Sequence, residues 1–126
     1  MRLVLRIDAL VEAVLAVCCF ALAAADPHRG ASRLPAHVTP AIVVGLGVAL
    51  VAVVAVLWWL STRPRRAIVL LVCVANGITA FVAAWLAVVV DAGSAVRLLL
   101  AGCAVALAAL AVSQALVALA RAAPSP

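Results

Sequence analysis

Apolar residues along this chain fall into four long runs, and almost all charged residues lie between the runs or at their ends. The runs cover residues 3–25, 41–60, 67–90 and 98–120. Each is close to the ~20 residues that an α-helix needs to cross the hydrocarbon core of a bilayer. The pattern predicts an all-α integral membrane protein, in which four transmembrane helices form an up-down bundle. The bundle is expected to be a single membrane domain over residues 1–126.

The polar connections between the runs predict how the helices follow one another. Residues 61–66 form a turn short enough to force the second and third spans into an antiparallel hairpin. Residues 26–40 are the longest connection and are expected to form an external loop with a short interfacial turn. Thr39 and Pro40 at the end of this loop predict a side-chain cap and a proline in the first turn of the second span.

Composition excludes most other classes of protein. The chain is 71% hydrophobic and only 10% charged, which leaves too little polar sequence for a soluble domain or a nucleic-acid-binding arm. There is no nucleophile–His–acid set, no glycine-rich phosphate loop and no zinc signature. We therefore expect no enzyme activity, no cofactor, no bound metal and no nucleic-acid partner. The partners expected are the lipid bilayer and another membrane protein or a second copy.

Arginine placement predicts the orientation. The net charge of +5 comes from nine arginines and no lysine, and arginine in place of lysine in an alanine-rich chain indicates a GC-rich bacterial genome. One side carries Arg2, Arg6, Arg63, Arg65, Arg66 and Arg121, and the other carries Arg29, Arg33 and Arg97. By the positive-inside rule, both termini are expected in the cytoplasm of a bacterial cell, with the chain in its inner (plasma) membrane and the basic side chains at anionic lipid headgroups. Trp58 and Trp59 would then lie at the inner interface and Trp85 near the outer one.

The N-terminus has a second interpretation. Basic residues 1–6, the apolar stretch that follows and the alanines before Asp26 resemble a cleavable signal peptide. Asp8 and Glu12 interrupt that apolar stretch, which favours a retained first span. Cleavage stays open as the alternative.

Polar residues within the spans are the candidate site. Asp8 and Glu12 are four residues apart and share one face of the first helix. With Arg6, Arg66 and Arg121 placed at the membrane surface and 1.5 Å per residue, Glu12 lies roughly 9 Å into the membrane, Asn76 about 15 Å and Gln114 about 10 Å. Similar depth predicts that Glu12, Asn76 and Gln114 form an intramembrane cluster. Asp8 is expected nearer the surface, where it could pair with Arg63, Arg65 or Arg66.

Three interpretations of this cluster stay open. Charged groups in the hydrocarbon core are costly and usually face the bundle interior, where they often bind a proton or an ion. The cluster is then a proton- or cation-binding site centred on Glu12. Alternatively it is structural, because interhelical hydrogen bonds fix the packing. A third alternative is that Glu12 is protonated and neutral.

Small residues recur on two spans and predict close helix contacts, within the bundle or between protomers. The stripes consist of Ala41, Gly45 and Ala49 on the second span, and of Gly102, Ala106, Ala109 and Ser113 on the fourth.

The cysteines lie within the apolar runs and are expected to be small buried hydrophobes. They are Cys18, Cys19, Cys73 and Cys103. The vicinal pair Cys18-Cys19 resembles that of small membrane carriers of mercuric ions, although the proline and glycine that usually follow such a pair are missing. A bridge or shared ligand between Cys18 and Cys103 stays open, since they lie at similar depth. His28 and His37 in the long loop, with Asp26, have no recognised metal spacing.

The whole chain resembles a group of small, uncharacterised four-span bacterial membrane proteins of the actinobacterial type. The resemblance rests on short motifs, which are Arg6-Ile7-Asp8-Ala9, Leu34-Pro35, Trp59-Leu60-Ser61-Thr62-Arg63-Pro64, Asn76 and Gln114. It implies the four-helix fold and no particular activity. The chain also resembles the small multidrug resistance exporters in length, in its four spans and in the glutamate of the first span. It departs from them in its arginine bias, its long first loop and its lack of their cavity aromatics.

These observations favour an accessory or interaction subunit of a larger membrane assembly. The alternative is a small proton-coupled transporter that uses Glu12 as its coupling carboxylate. A second alternative is thiol-based transport of a soft metal through Cys18 and Cys19.

Overall fold

The structure, a computed structural model, describes residues 1–25, 30–63 and 65–120. It consists of the helices α1 (Arg2–Ala24), α2 (Pro40–Leu60), α3 (Arg66–Val89) and α4 (Ser94–Ala120), with a 3₁₀ turn at Gly30–Ser32. All four helices are long and apolar enough to cross a membrane. The prediction of an all-α chain with four such helices is confirmed. Arg29, Arg121 and the loop residues Asp26 and His28 lie outside the described residues.

Helix α4 begins four residues before the apolar run that predicted it, and this extension has a local cause. Ser94 follows Gly93 as the first helical residue, and Arg97 lies within the first turn. The Arg97 guanidinium donates through Nη2 and Nε to the carbonyl of Val90, at 3.0 and 3.2 Å. Arg97 therefore stabilises the first turn of α4, which lies before the apolar run.

The predicted start of α2 is confirmed. The Thr39 hydroxyl oxygen accepts a hydrogen bond from the backbone N–H of Ile42 at 3.4 Å, and Pro40 is in the first helical turn. Proline costs nothing there, because the first N–H groups of a helix have no intrahelical acceptor.

The helices pair as two hairpins. Helix α1 packs along α2, α3 packs along α4, and a smaller contact between α1 and α4 joins the pairs. The first pair is antiparallel, since Leu5 near the start of α1 packs with Leu57 near the end of α2. In the second pair, the Cys73 thiol early in α3 donates to the carbonyl of Ala111 late in α4, at 3.1 Å. Helices α2 and α3, although consecutive, touch each other very little.

Apolar clusters hold the two ends of the bundle. One end carries Arg2, Arg6, Arg63, Arg65 and Arg66 and is called the arginine end; the other, with the 3₁₀ turn, is called the loop end. At the arginine end, buried residues of three helices pack together, namely Leu5, Ala9, Leu57 and Val69. At the loop end the buried cluster consists of Cys19, Leu34, Val43, Ala92 and Val96.

Backbone contacts at the loop end connect the two hairpins. The N–H of Gly93 donates to the carbonyl of Arg33 at 2.8 Å, and the Arg33 guanidinium pairs with Asp91 at 2.5 Å. A Cβ at Gly93 would overlap the backbone carbonyls of Ala31 and Gly30. Glycine is required at residue 93 because the 3₁₀ turn lies directly against it.

The small-residue stripe of α2 lies on the outside of the bundle, since Ala41, Gly45 and Ala49 are all exposed. The α4 stripe is exposed at Gly102 and Ala109 and half-buried at Ala106 and Ser113. The glycine that packs within the bundle is Gly47, where an added Cβ would come 2.9 Å from the ring of Phe20. Contacts of the two stripes with another protomer stay a prediction.

Candidate functional site

A polar network joins three helices inside the bundle. Asp8 of α1 and Gln114 of α4 are completely buried, and Asn76 of α3 is 6% exposed. Asn76 Nδ2 lies 3.1 Å from each carboxylate oxygen of Asp8. Gln114 Nε2 donates to Asp8 Oδ2 at 2.9 Å, and its Oε1 accepts from Asn76 Nδ2 at 3.3 Å. The network therefore links both hairpins through one carboxyl group.

Donors and acceptors in this network complement each other. An aspartate carboxylate only accepts hydrogen bonds, and amide NH₂ groups supply donors. Both oxygens of Asp8 have an amide partner. A buried polar group without a partner costs about 1–3 kcal/mol. Asp8 avoids this cost, since both of its oxygens accept hydrogen bonds.

The position of Asp8 differs from the expectation. It is buried in the network and pairs with none of Arg63, Arg65 and Arg66. The sequence estimate took Arg6 as the membrane surface, whereas α1 begins at Arg2. The Arg6 guanidinium lies over the ring of Trp58, 5.2 Å from its centroid, on the outside of the bundle. Counted from Arg2, Asp8 lies about 9 Å along the helix.

Glu12 lies one turn further along α1 and outside this network. It is only 8% exposed, and its Oε2 is buried with no hydrogen-bond partner among the described residues. The expected cluster of Glu12 with Asn76 and Gln114 is therefore divided. Asp8 takes the amide partners, and Glu12 is left with an unsatisfied carboxyl oxygen.

The gap between α2 and α3 forms a cleft, and Glu12 is part of its wall. The cleft has a volume of about 760 Å³. Its walls are almost entirely apolar side chains of all four helices, and its polar lining residues are Asp8, Glu12, Asn76 and Thr79. Binding sites for small molecules have this character, with volumes of about 300–1,000 Å³ and a few polar groups in apolar walls.

The cysteines divide between the cleft and other surroundings. Cys19 and Cys103 line the cleft, whereas Cys18 is half-buried elsewhere and Cys73 bonds to the α4 backbone. All four are free thiols. Within residues 1–25, 30–63 and 65–120, no group of three or more His, Cys, Asp or Glu side chains is placed to hold a metal ion. Soft-metal transport by the vicinal pair stays a prediction.

The tryptophans and the described arginines lie on the outside of the bundle. Trp58 and Trp59 are exposed at the arginine end of α2, and Trp85 is exposed near the opposite end of α3. This placement suits rings at the two membrane interfaces. His37 is exposed in the connection before α2.

Four apolar helices that pack around a buried polar network fit a multi-pass membrane protein. No protein-family model, no curated protein and no solved structure matches the chain. The resemblances to small four-span bacterial membrane proteins and to the multidrug exporters stay predictions. Function is argued below from the geometry alone.

Proposed function

We propose that this chain is a small proton-coupled membrane carrier in which Glu12 is the carboxyl that binds the proton. The observation that supports the proposal is the buried Oε2 of Glu12, which has no partner among the described residues. A carboxyl that served only to fix helix packing would be expected to have partners, as Asp8 has in the same helix. Ionisable residues within membrane spans commonly mark proton relays and ion pathways.

A proton suits this oxygen better than a larger cation. Oε2 is buried, and the apolar cleft beside Glu12 offers few oxygen atoms that could coordinate a cation. A proton needs no additional volume, and it converts a carboxylate that is costly in hydrocarbon into a neutral acid. Glu12 lines the apolar cleft, so an apolar molecule within the cleft lies next to the titrating group.

Proton flux in proteoliposomes tests the proposal. The purified chain is reconstituted with a pH-sensitive dye inside, and an outward or inward pH gradient is imposed. The wild type is expected to dissipate the gradient faster than empty liposomes, and Glu12→Gln is expected to abolish the difference. Cys19→Ala is the matched control, because it changes the same cleft without removing a carboxyl. A Glu12→Gln variant as fast as the wild type contradicts the proposal.

The second candidate is an accessory subunit of a larger membrane assembly. It is supported by a shallow groove on the α3–α4 surface, which is lined by small residues that include Gly77, Ala84, Ala104 and Ala108. Small side chains let a neighbouring helix approach closely in a membrane. Affinity purification in mild detergent should then recover a larger membrane protein in stoichiometric amount, and Ala108→Leu, at an exposed position of the groove, should reduce the recovery. Recovery of this chain alone contradicts the accessory role.

We also propose that the arginine end faces the cytoplasm of a bacterial cell, with both termini inside. Five described arginines lie at this end, against Arg33 and Arg97 at the loop end. Reporter fusions at the C-terminus and in the connection before α2 test the orientation. Activity of a periplasmic reporter at the C-terminus contradicts it.

A further inference from the structure

The cleft between α2 and α3 extends to the arginine end of the bundle. Leu57 and Leu60 at the end of α2 line it, and so does Leu71 early in α3. Leu71 is five residues after Arg66, which is about 7.5 Å along a helix. The apolar cleft therefore ends close to the basic turn that connects α2 and α3.

The turn between α2 and α3 carries three exposed arginines, Arg63, Arg65 and Arg66. No carboxylate among the described residues pairs with them. At the loop end the situation is different, because Arg33 pairs with Asp91 and Arg97 bonds to a backbone carbonyl. The three arginines thus follow or precede the helix ends that line one end of the cleft, and phosphate is a ligand that guanidinium binds well.

The cleft is long enough for a lipid acyl chain. Along α2 it runs from Leu46 to Leu60, a helical distance of about 21 Å. Its volume of about 760 Å³ and its almost entirely apolar walls suit a hydrocarbon chain. One leaflet of hydrocarbon is about 15 Å deep, which is shorter than the cleft.

We propose that the cleft binds an acyl chain of an anionic phospholipid whose phosphate is held by Arg63, Arg65 and Arg66. The apolar walls take the chain, and the three guanidinium groups select the negative headgroup. The inference does not depend on proton binding at Glu12, because the three arginines and the Glu12 carboxyl lie on different segments of the chain. The two proposals are also tested separately, one by lipid labelling and the other by proton flux.

Photocrosslinking in nanodiscs tests this proposal. The probes are phosphatidylglycerol and phosphatidylcholine with the same chains, each with a diazirine in one acyl chain, and the labelled peptides are mapped by mass spectrometry. An arginine near an anionic lipid surface is worth roughly a five-fold preference. We therefore expect phosphatidylglycerol to label cleft residues such as Leu50 and Val53 on the order of a hundred-fold more than phosphatidylcholine does, from three arginines together. Each arginine replaced should lower the selectivity by about five-fold.

Two further variants separate the headgroup from the chain. Arg33→Gln removes an arginine from the loop end and should leave the selectivity unchanged. Val53→Trp should block labelling inside the cleft by both lipids while all basic residues are retained. Equal labelling by the two lipids in the wild type overturns the proposal. Labelling of the cleft no stronger than that of Val105, which is exposed on α4, also overturns it, since the lipid would then be ordinary surrounding lipid.

Discussion

Replacing Gln114 by leucine should lower the stability of the folded bundle more than replacing any other polar side chain of α4. Gln114 is completely buried, donates to Asp8 at 2.9 Å and accepts from Asn76 at 3.3 Å. Interhelical hydrogen bonds in membranes average about 0.6 kcal/mol each, so the two bonds together contribute about 1.2 kcal/mol. Asp8 Oδ2 keeps its hydrogen bond from Asn76 Nδ2 at 3.1 Å, so neither carboxyl oxygen loses its last partner. The apolar leucine offsets part of the loss, and a net loss of about 1 kcal/mol is expected.

The neighbouring Ser113 supplies the matched control. Its hydroxyl donates to the carbonyl of Leu110 in the same helix at 2.8 Å, so Ser113→Ala breaks no bond between helices. Unfolding by titration with a denaturing detergent, followed by far-ultraviolet circular dichroism, measures both variants. Gln114→Leu should unfold at lower denaturant than the wild type, and Ser113→Ala close to it. Equal midpoints of unfolding for the two variants would refute the conclusion that this network stabilises the contact between the two hairpins.

Three further predictions concern single residues. Glu12→Gln should leave the unfolding free energy nearly unchanged, because the buried oxygen has no partner to lose; a loss above about 1 kcal/mol would reveal a missed contact. Gly47→Ala should destabilise the folded protein by about 1 kcal/mol, since the ring of Phe20 must move. Gly45→Ala, where an added Cβ meets open space, should be neutral or stabilising. Thermal unfolding of the two variants compares their stability. Gly93→Ala should displace the 3₁₀ turn, because the added Cβ would overlap the backbone of Ala31. Amide hydrogen exchange in the 3₁₀ turn should then become faster, and unaltered exchange would contradict this prediction.

Most of the fold could be predicted because its signal is length and hydropathy. Each of the four helices coincides with a long apolar run, and the ends differ by a few residues at most. The apolar run begins four residues after the start of α4, because Arg97 interrupts the apolar pattern. Its guanidinium bonds to the carbonyl of Val90, just before that helical turn. The start of α2 was predictable, since a cap followed by proline acts through local contacts alone.

The cleft could not be predicted from the sequence. In a water-soluble helix, polar residues mark the outer face, whereas lipid-facing and bundle-facing surfaces are both apolar in a membrane. Leu46 in the cleft and Val48 on the outside therefore look alike in the pattern. Gly45 and Gly47 illustrate the same difficulty, because only tertiary contacts show that Gly47 is the one against Phe20.

The polar site was predicted only in part. Asn76 and Gln114 do meet an acidic residue of α1 inside the bundle, because polar side chains in apolar helices turn inward. Which carboxyl receives the amide donors depends on how α1 is rotated and placed along its axis. The estimate of depth favoured Glu12, whereas Asp8 receives the donors and Glu12 lies outside the network.

Infrared spectroscopy of the carboxyl groups in reconstituted membranes tests the central claim most directly. A protonated carboxyl has a carbonyl stretching band that a carboxylate lacks, so a pH titration detects the proton on the site. The account predicts a titrating band that Glu12→Gln removes and that Cys19→Ala leaves in place. A wild-type spectrum with no such band, or one that Glu12→Gln leaves unaltered, would contradict the assignment of Glu12 as the proton-binding group.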